Sequence, residues 1–227
     1  IGALQNYNSY LPSVMDFTLH DAMLQAWKEQ DQGWDKGMIR FYENFTQDYL
    51  YANTQNLLVF MENHDTQPLQ SLEQIVEPWF RAHAYAMILL REAGYPCVFY
   101  ADLYGSNYTD KGQDGQDHEV TIGHLPQLHT LLELRKQRAY GLQRDYLDHA
   151  NCIGWTREGI EEKENSGLAV ILSNGEKGYK RMEMGPAFAG RNMRDALGHV
   201  TEEIRVDEDG WAEFVCEAGS VSVWVLA

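Results

Sequence analysis

The feature that most constrains the fold of this chain is an apolar run, residues 57–61, that leads through Glu62 into the polar sequence Asn63-His64-Asp65. The run contains Val and Phe and does not alternate with polar residues, which favours a strand buried on both faces, as in a parallel sheet. After a helical stretch, a second apolar run begins at Gly94 and ends in Asp102. Polar groups at the carboxyl ends of parallel barrel strands are where enzymes place their chemistry. The sequence therefore predicts a site at this edge of a parallel sheet.

Composition and charge exclude several classes of protein. The chain has 227 residues, 44% of them apolar, and only 6 prolines, which is typical of a folded protein. The net charge of −16 argues against nucleic acid or an anionic membrane as a partner and is compatible with a neutral sugar. No stretch has the roughly 18 apolar residues of a membrane span. There is no signal peptide, and the chain opens at Ile1, so we expect a segment cut from a longer product.

The three cysteines, Cys97, Cys152 and Cys216, are widely spaced and lie within apolar runs. We interpret them as buried, reduced thiols and not as a disulfide or a metal site. Reduced thiols favour a reducing compartment, so we expect a cytoplasmic protein over a secreted one.

The first part of the chain reads as helical and mixed structure. Apolar residues recur with helical spacing over residues 16–27 and 38–50. Between the two apolar runs, a helix is predicted over residues 79–93, with Gly94 and Pro96 as its stop signal. A further helix is predicted from residue 125 to residue 140.

From Asp145 onward the pattern changes to short β-type runs. Strands are predicted at residues 151–156, 168–173, 179–184, 212–216 and 220–226. Asn-Gly, Asp-Gly and Ala-Gly pairs at residues 174–175, 209–210 and 218–219 predict hairpin turns and therefore antiparallel pairing. We place the domain boundary between residues 1–142 and 143–227, with a β-sandwich in the second part.

Several motifs beyond the Asn-His-Asp sequence point to one family. They are Thr66-Gln67-Pro68-Leu69-Gln70-Ser71-Leu72, Glu77-Pro78-Trp79-Phe80, Tyr100-Ala101-Asp102-Leu103-Tyr104-Gly105, Gly154-Trp155-Thr156-Arg157-Glu158-Gly159 and Gly219-Ser220-Val221-Ser222-Val223-Trp224-Val225. In order and spacing they resemble the α-amylase family, glycoside hydrolase family 13, in its liquefying and intracellular bacterial branch. The resemblance implies an α/β plus all-β fold: the C-terminal part of a (β/α)8 barrel followed by an antiparallel β-sandwich.

The resemblance also implies roles for residues near the strand end. Asp65 would be the carboxylate that stabilises the transition state, while His64, Asn63 and Gln67 would contact the sugar. The chemistry fits, because glycoside cleavage passes through an oxocarbenium-like state that a nearby ionised carboxylate stabilises. The alternative is a strand-end Asn-His-Asp that only caps the next turn.

The implied activity is retaining hydrolysis of internal α-1,4-glucosidic bonds in starch or glycogen, with an α-glucan as substrate. Residues 10–60 look closer to neopullulanases and cyclomaltodextrinases, and a non-catalytic carbohydrate-binding or interaction fragment is a third possibility. In this family the nucleophile and the acid/base follow the fourth and fifth barrel strands, upstream of everything matched here. We therefore expect the 227-residue chain alone to be inactive and to need the N-terminal half of the barrel.

For metals, we expect no site and no cofactor in this chain. The family's structural calcium would be held by upstream residues of a full-length enzyme. Some relatives hold a further ion with two Asp side chains, but this chain has Asn151 and Asn174 there, and amides are poorer calcium ligands. Asp110 and Asp114 fall at calcium-loop offsets, but the closing position is Thr121, so we interpret this segment as a solvated loop.

Overall fold

The computed structural model describes residues 14–28, 57–149 and 151–227. The helix predicted at residues 38–50 lies outside them. The helices are α1 (Phe17–Lys28), α2 (Arg81–Leu90), α3 (Tyr100–Tyr104) and α4 (Leu128–Gln137). The strands are β1 (Val14–Met15), β2 (Leu57–Phe60), β3 (Tyr95–Cys97), β4 (Ser106–Lys111), β5 (Asp117–Ile122), β6 (Gln143–Tyr146), β7 (Cys152–Arg157), β8 (Leu168–Ser173), β9 (Gly178–Glu183), β10 (Asn192–Asp195), β11 (Ile204–Arg205), β12 (Trp211–Cys216) and β13 (Val221–Leu226).

Strands β1, β2 and β3 form a parallel sheet with β2 in the centre. This confirms the parallel pairing predicted from the two apolar runs. Val59 and Phe60 on β2 are buried, because helix α1 and strand neighbours cover them. Strand β3 is at an edge of the sheet in the described part of the chain, and its Tyr95 is 67% exposed.

Helices α1, α2 and α4 agree with the predicted helices, although each has its own bounds. Helix α3 was not predicted, because it lies in the second apolar run, which was interpreted as a strand up to Asp102. Helix α1 begins after Asp16, whose Oδ1 accepts the backbone N–H of Leu19 and caps the first turn. A 3₁₀ turn, Pro78–Phe80, precedes helix α2, which ends before Gly94, where φ is +84°. Every residue of α2 is buried, Arg81 and His83 included, which explains why the rest of its sequence is apolar on all sides.

A hairpin of strands β4 and β5 follows helix α3 and was not predicted from the sequence. Its residues are polar and mostly exposed, so they lack the apolar alternation that marks a strand. Of the two residues at the calcium-loop offsets, Asp110 lies on strand β4 and Asp114 lies in the turn between β4 and β5. Asp114 accepts a hydrogen bond from the Gln116 backbone and contacts His118 Nε2 at 3.0 Å.

The C-terminal part is all-β, as predicted. Among the described residues, a six-stranded sheet has the order β11-β10-β13-β8-β7-β6, and a two-stranded sheet pairs β12 with β9, all antiparallel. The sheets share an apolar core that includes Met182, Phe214 and Trp224, each fully buried. The opposite face of the six-stranded sheet contributes Trp155 and other residues to a second core with helix α2.

The three Gly-containing turns do not connect paired strands, so the predicted hairpins are wrong. Residues 174–175 lead from β8 in the larger sheet to β9 in the smaller one, and residues 218–219 lead back from β12 to β13. Residues 209–210 precede β12, which pairs with β9. A turn motif reports a local change of direction, whereas the partner of a strand is set by which core its side chains fill.

The cysteine prediction is correct for two residues. Cys152 and Cys216 are buried free thiols, but Cys97 is exposed because it lies on the edge strand β3. None of the helices that the structure describes has the length and apolar character needed to cross a bilayer.

Candidate functional site

The polar sequence after β2 forms a tight turn built by Asn63. Its Oδ1 accepts the backbone N–H groups of Asp65 at 2.8 Å and Thr66 at 3.0 Å. The buried Thr66 hydroxyl accepts the Asn63 backbone N–H at 3.0 Å, so the two residues cap each other. This is the Asx turn that a short polar side chain favours. Asn63 thus shapes the loop, and its contact with sugar stays a prediction.

This turn directs His64 and Asp65 outward. The His64 side chain is 82% exposed, that of Asp65 is 47% exposed, and His64 Nε2 lies 3.5 Å from Asp65 Oδ1. The two groups are thus adjacent and open to solvent at the carboxyl end of the central parallel strand. A carboxylate with an imidazole beside it can contact a polar neutral ligand and stabilise positive charge that develops on it.

The loop that contains Gln67, residues 66–72, packs against the β4–β5 hairpin through Pro68 and Gln70. The half-buried Gln67 donates its backbone N–H to the Asn63 carbonyl at 3.2 Å. Further along, Tyr108 donates its hydroxyl to the Pro68 carbonyl at 2.5 Å, and Gln70 Nε2 donates to Asp110 at 2.8 Å. Beside the loop is an open cavity of about 1000 Å³, lined by groups that include the side chain of Phe17 from helix α1.

A buried group of charges underlies the loop. Arg81 Nη1 is 3.2 Å from Asp102 Oδ1 and 3.3 Å from the Gly123 carbonyl, and Arg81 Nη2 is 3.9 Å from Glu62 Oε1. Glu62 in turn accepts the Val76 backbone N–H at 2.9 Å. Arg81 therefore links Asp102 on helix α3 to Glu62, which follows strand β2 and lies three residues before Asp65.

Burial shifts the acid–base behaviour of this group. Desolvation, reinforced by the nearby Asp102 charge, raises the pKa of Glu62 to about 7, against the opposing pull of Arg81. The pKa of Asp102 is also raised by burial, while the hydrogen bond from Tyr85 (2.6 Å) and the charge of Arg81 oppose this rise. Burial raises the pKa of Tyr85 as well, so it remains a protonated donor. Asp102 thus lies on helix α3, beyond the end of β3, as a buried acceptor, and the prediction that it ends the second strand is wrong.

The sequence did not reveal this network. Arg81 begins an apolar helix and Glu62 directly follows an apolar strand, and a charged residue in such a place is a detectable signal. The sequence does not show which charged groups pair with each other. Glu62, Arg81 and Asp102 are distant in sequence and come together only in the folded structure.

Aromatic side chains, which can stack on sugar rings, lie in different environments in this chain. Trp155 is fully buried in the second core, and Trp79 packs edge-on against Phe80 and His83. Tyr104 is 62% exposed and lies 4.9 Å, centroid to centroid, from the exposed Tyr100.

The side chains of Asn151 and Asn174 do not fit a calcium ion. Asn151 Nδ2 donates to Asn174 Oδ1 at 3.0 Å, and the Asn174 backbone N–H donates to the Asn151 carbonyl at 3.2 Å. The amide oxygen of Asn174 is thus engaged by another protein group, and neither side chain carries a charge for a hard dication. In the described ranges, no cluster of three or more His, Cys, Asp and Glu is arranged to hold a metal ion.

Sequence comparison places the chain among amylases. Residues 168–225 match the α-amylase C-terminal domain family. The chain is 45% identical over 182 residues to the cytoplasmic α-amylase of Escherichia coli strain K12, which covers 80% of this chain and 36% of that protein. It is 42% identical over 228 residues to the α-amylase of Bacillus licheniformis, which covers 99% of this chain and 42% of that protein. The chain thus spans less than half the length of these relatives.

Solved structures show the same fold. An Anoxybacillus α-amylase superposes with a TM-score of 0.60 at 17% identity, over 95% of this chain and 47% of that one. A cyclomaltodextrin glucanotransferase with a three-domain ABC arrangement superposes with a TM-score of 0.63 at 20% identity, over 94% of this chain and 44% of that one. Together with the sequence matches, these similarities show that the chain belongs to the α-amylase family and corresponds to the C-terminal part of such a protein.

Proposed function

We propose that this chain forms the C-terminal part of an enzyme that hydrolyses internal α-1,4-glucosidic bonds of starch or glycogen with retention. The observation that carries the proposal is the solvent-open pair of His64 and Asp65, held by the Asn63 turn at the end of a central parallel strand. The 42% identity to a Bacillus licheniformis α-amylase over nearly the whole chain supports the same activity.

Asp65 is the transition-state stabiliser in this proposal. Its backbone N–H is fixed by Asn63, and its carboxylate is half exposed beside His64, so a sugar ring can reach it from the solvent. An ionised carboxylate there lowers the energy of an oxocarbenium-like transition state. His64, Gln67 and Asn63 supply polar contacts to sugar hydroxyls in this proposal.

The remaining parts of the catalytic machinery come from outside this chain. We infer that β1, β2 and β3 with α1 and α2 are the last part of a (β/α)8 barrel, and that the barrel's N-terminal half is the partner that completes it. The exposed edge strand β3 supports this, because a sheet edge without a neighbour leaves backbone groups unpaired. That half supplies the nucleophile, the acid/base and the calcium ligands. We place the enzyme in the cytoplasm, by analogy with the Escherichia coli relative.

A chimera tests the proposal. The chain replaces its matching 228-residue segment in the Bacillus licheniformis α-amylase, and the product anomer from a maltooligosaccharide is followed by NMR. We expect hydrolysis with the α-anomer formed first, while the 227-residue chain alone releases no reducing sugar. A folded but inactive chimera, or a β-anomer formed first, would contradict the proposal.

A second specificity is supported by one relative. A glucan 1,4-α-maltohexaosidase from Bacillus sp. strain 707 is 39% identical over 228 residues. Product analysis with the same chimera distinguishes the possibilities. A spread of internal cleavage products supports the α-amylase, maltohexaose alone supports the relative's specificity, and cleavage of cyclomaltodextrins supports the neopullulanase branch. Glucan binding without any hydrolysis would support a binding module.

A further inference from the structure

Two thiols meet between the sheets of the C-terminal domain, far from the His64–Asp65 pair in sequence. Cys152 lies on β7 in the six-stranded sheet, and Cys216 lies on β12 in the two-stranded sheet. Both are free, and both Sγ atoms lie close to Gly178 on strand β9. The two sulfur atoms are thus neighbours where the two sheets face each other.

Gly178 makes this approach possible. It pairs with Cys216 in the β9–β12 ladder, and a Cβ atom at this position would lie 2.6 Å from Cys152 Sγ and 3.2 Å from Cys216 Sγ. Any other residue would therefore push the sulfur atoms aside. The space that the missing side chain leaves is occupied by the two thiols.

The two thiols differ in character and in access. The Cys216 thiol donates a hydrogen bond to Cys152 and, with Lys180 nearby, lowers the pKa of Cys152. The same hydrogen bond, together with burial, raises the pKa of Cys216. Cys152 lines an open cavity of about 620 Å³ that also includes Lys180, whereas Cys216 is fully buried. Cys152 therefore has the features of an attacking thiolate, and Cys216 those of a resolving thiol.

We propose that Cys152 and Cys216 are a dithiol site at which a low-molecular-weight disulfide, such as oxidised glutathione, forms a covalent link between the two sheets. The Cys152 thiolate attacks one sulfur of the small disulfide and its S–S bond breaks. The other half leaves as a thiolate, and the attacked half stays on Cys152 as a mixed disulfide. The Cys216 thiol then loses its proton and attacks Cys152 Sγ, releasing the second small thiol. The protein dithiol is oxidised by two electrons, and one disulfide is reduced to two thiols.

The test uses the chain with Cys97→Ser, which removes the exposed thiol and leaves only the pair. The protein is incubated with oxidised glutathione, unfolded in an alkylating reagent and weighed by intact mass spectrometry. We expect a loss of two hydrogen atoms and no alkylation, with near-ultraviolet and far-ultraviolet circular dichroism unchanged. Two alkylated cysteines, or glutathione retained on the protein, would overturn the proposal.

Single substitutions in the same background check the order of events. With Cys216→Ser, the reaction stops at a glutathione adduct on Cys152, because no resolving thiol remains. With Cys152→Ser, the buried Cys216 stays reduced in the folded protein and becomes reactive only in urea. Equal glutathione uptake by both variants while folded would contradict the assigned roles. If Cys216→Ser or Cys152→Ser fails to fold, the intact mass of the Cys97→Ser protein after incubation with oxidised glutathione still decides the proposal.

Discussion

The pH dependence of stability should be governed in part by Glu62, which is nearly fully buried beside Arg81 and Asp102. Its folded-state pKa of about 7 lies above its ordinary value of 4.5. A raised pKa means that the folded protein favours the neutral acid. The stability that Glu62 contributes is therefore fully present below about pH 4.5 and is lost as the pH rises through about 7.

The variant Glu62→Gln removes this dependence and keeps an oxygen that can accept the Val76 N–H. A pKa that moves from 4.5 to about 7 corresponds to about 3 kcal/mol, at about 1.4 kcal/mol per pH unit. The difference in the free energy of unfolding between Glu62→Gln and the unaltered chain should thus shift by about 3 kcal/mol in favour of the variant between pH 4.5 and 8.5.

The assay is urea unfolding of both proteins at a series of pH values, followed by circular dichroism. The exposed Glu161→Gln is the matched control, since it makes the same chemical change on the surface and should show a difference that is nearly constant with pH. A pH-independent difference for Glu62→Gln, like that of the control, would refute the reasoning that burial determines the protonation of Glu62.

Three further predictions concern buried groups in other parts of the fold. Burial lowers the pKa of His83 to about 4, so its ring, which contacts the Ser173 carbonyl, should stay neutral in NMR titrations until about pH 4, and stability should fall as the pH drops from about 6.5 to 4. Phe214→Ala should cost about 3–5 kcal/mol in chemical unfolding, while Tyr179→Ala, at a residue 70% exposed, should cost less than about 0.5 kcal/mol. The oxidised Cys152–Cys216 pair should resist unfolding more than the reduced pair by about 4 kcal/mol, because it closes a long loop; equal stability of the two forms would contradict this.

The sequence predicted those parts of the fold in which one physical signal dominates. Strand β2 was predicted because four successive apolar residues suit a strand covered on both faces, and helix α2 because its apolar length exceeds that of a strand. Strands β7, β8 and β13 were predicted because each is a short β-type run in a segment punctuated by turn residues. Their pairing partners were not, because a Gly turn such as residues 174–175 looks alike whether it joins neighbours in one sheet or crosses between two.

In the candidate site too, the sequence located the residues but did not give their contacts. Asn63, His64 and Asp65 could be located from the sequence because they directly follow a recognisable strand. Their separate structural roles could not be predicted. Only the hydrogen bonds and the exposure of the side chains show that Asn63 builds the turn while His64 and Asp65 face outward. Polar, exposed strands such as β4, whose hairpin supports the loop through Tyr108, carry no apolar pattern at all.

The most direct test of the central claim is the kinetic effect of Asp65→Asn in the chimera with the Bacillus licheniformis enzyme. The amide keeps the size of the side chain and loses its charge, so the loss should fall on the transition state. We expect kcat on soluble starch to fall by about 10³-fold or more, with KM little changed and the melting temperature intact. The control Asp209→Asn, at an exposed position of the C-terminal domain, should keep kcat within about twofold. A chimera whose Asp65→Asn variant retains full activity would contradict the assignment of Asp65 as the transition-state stabiliser.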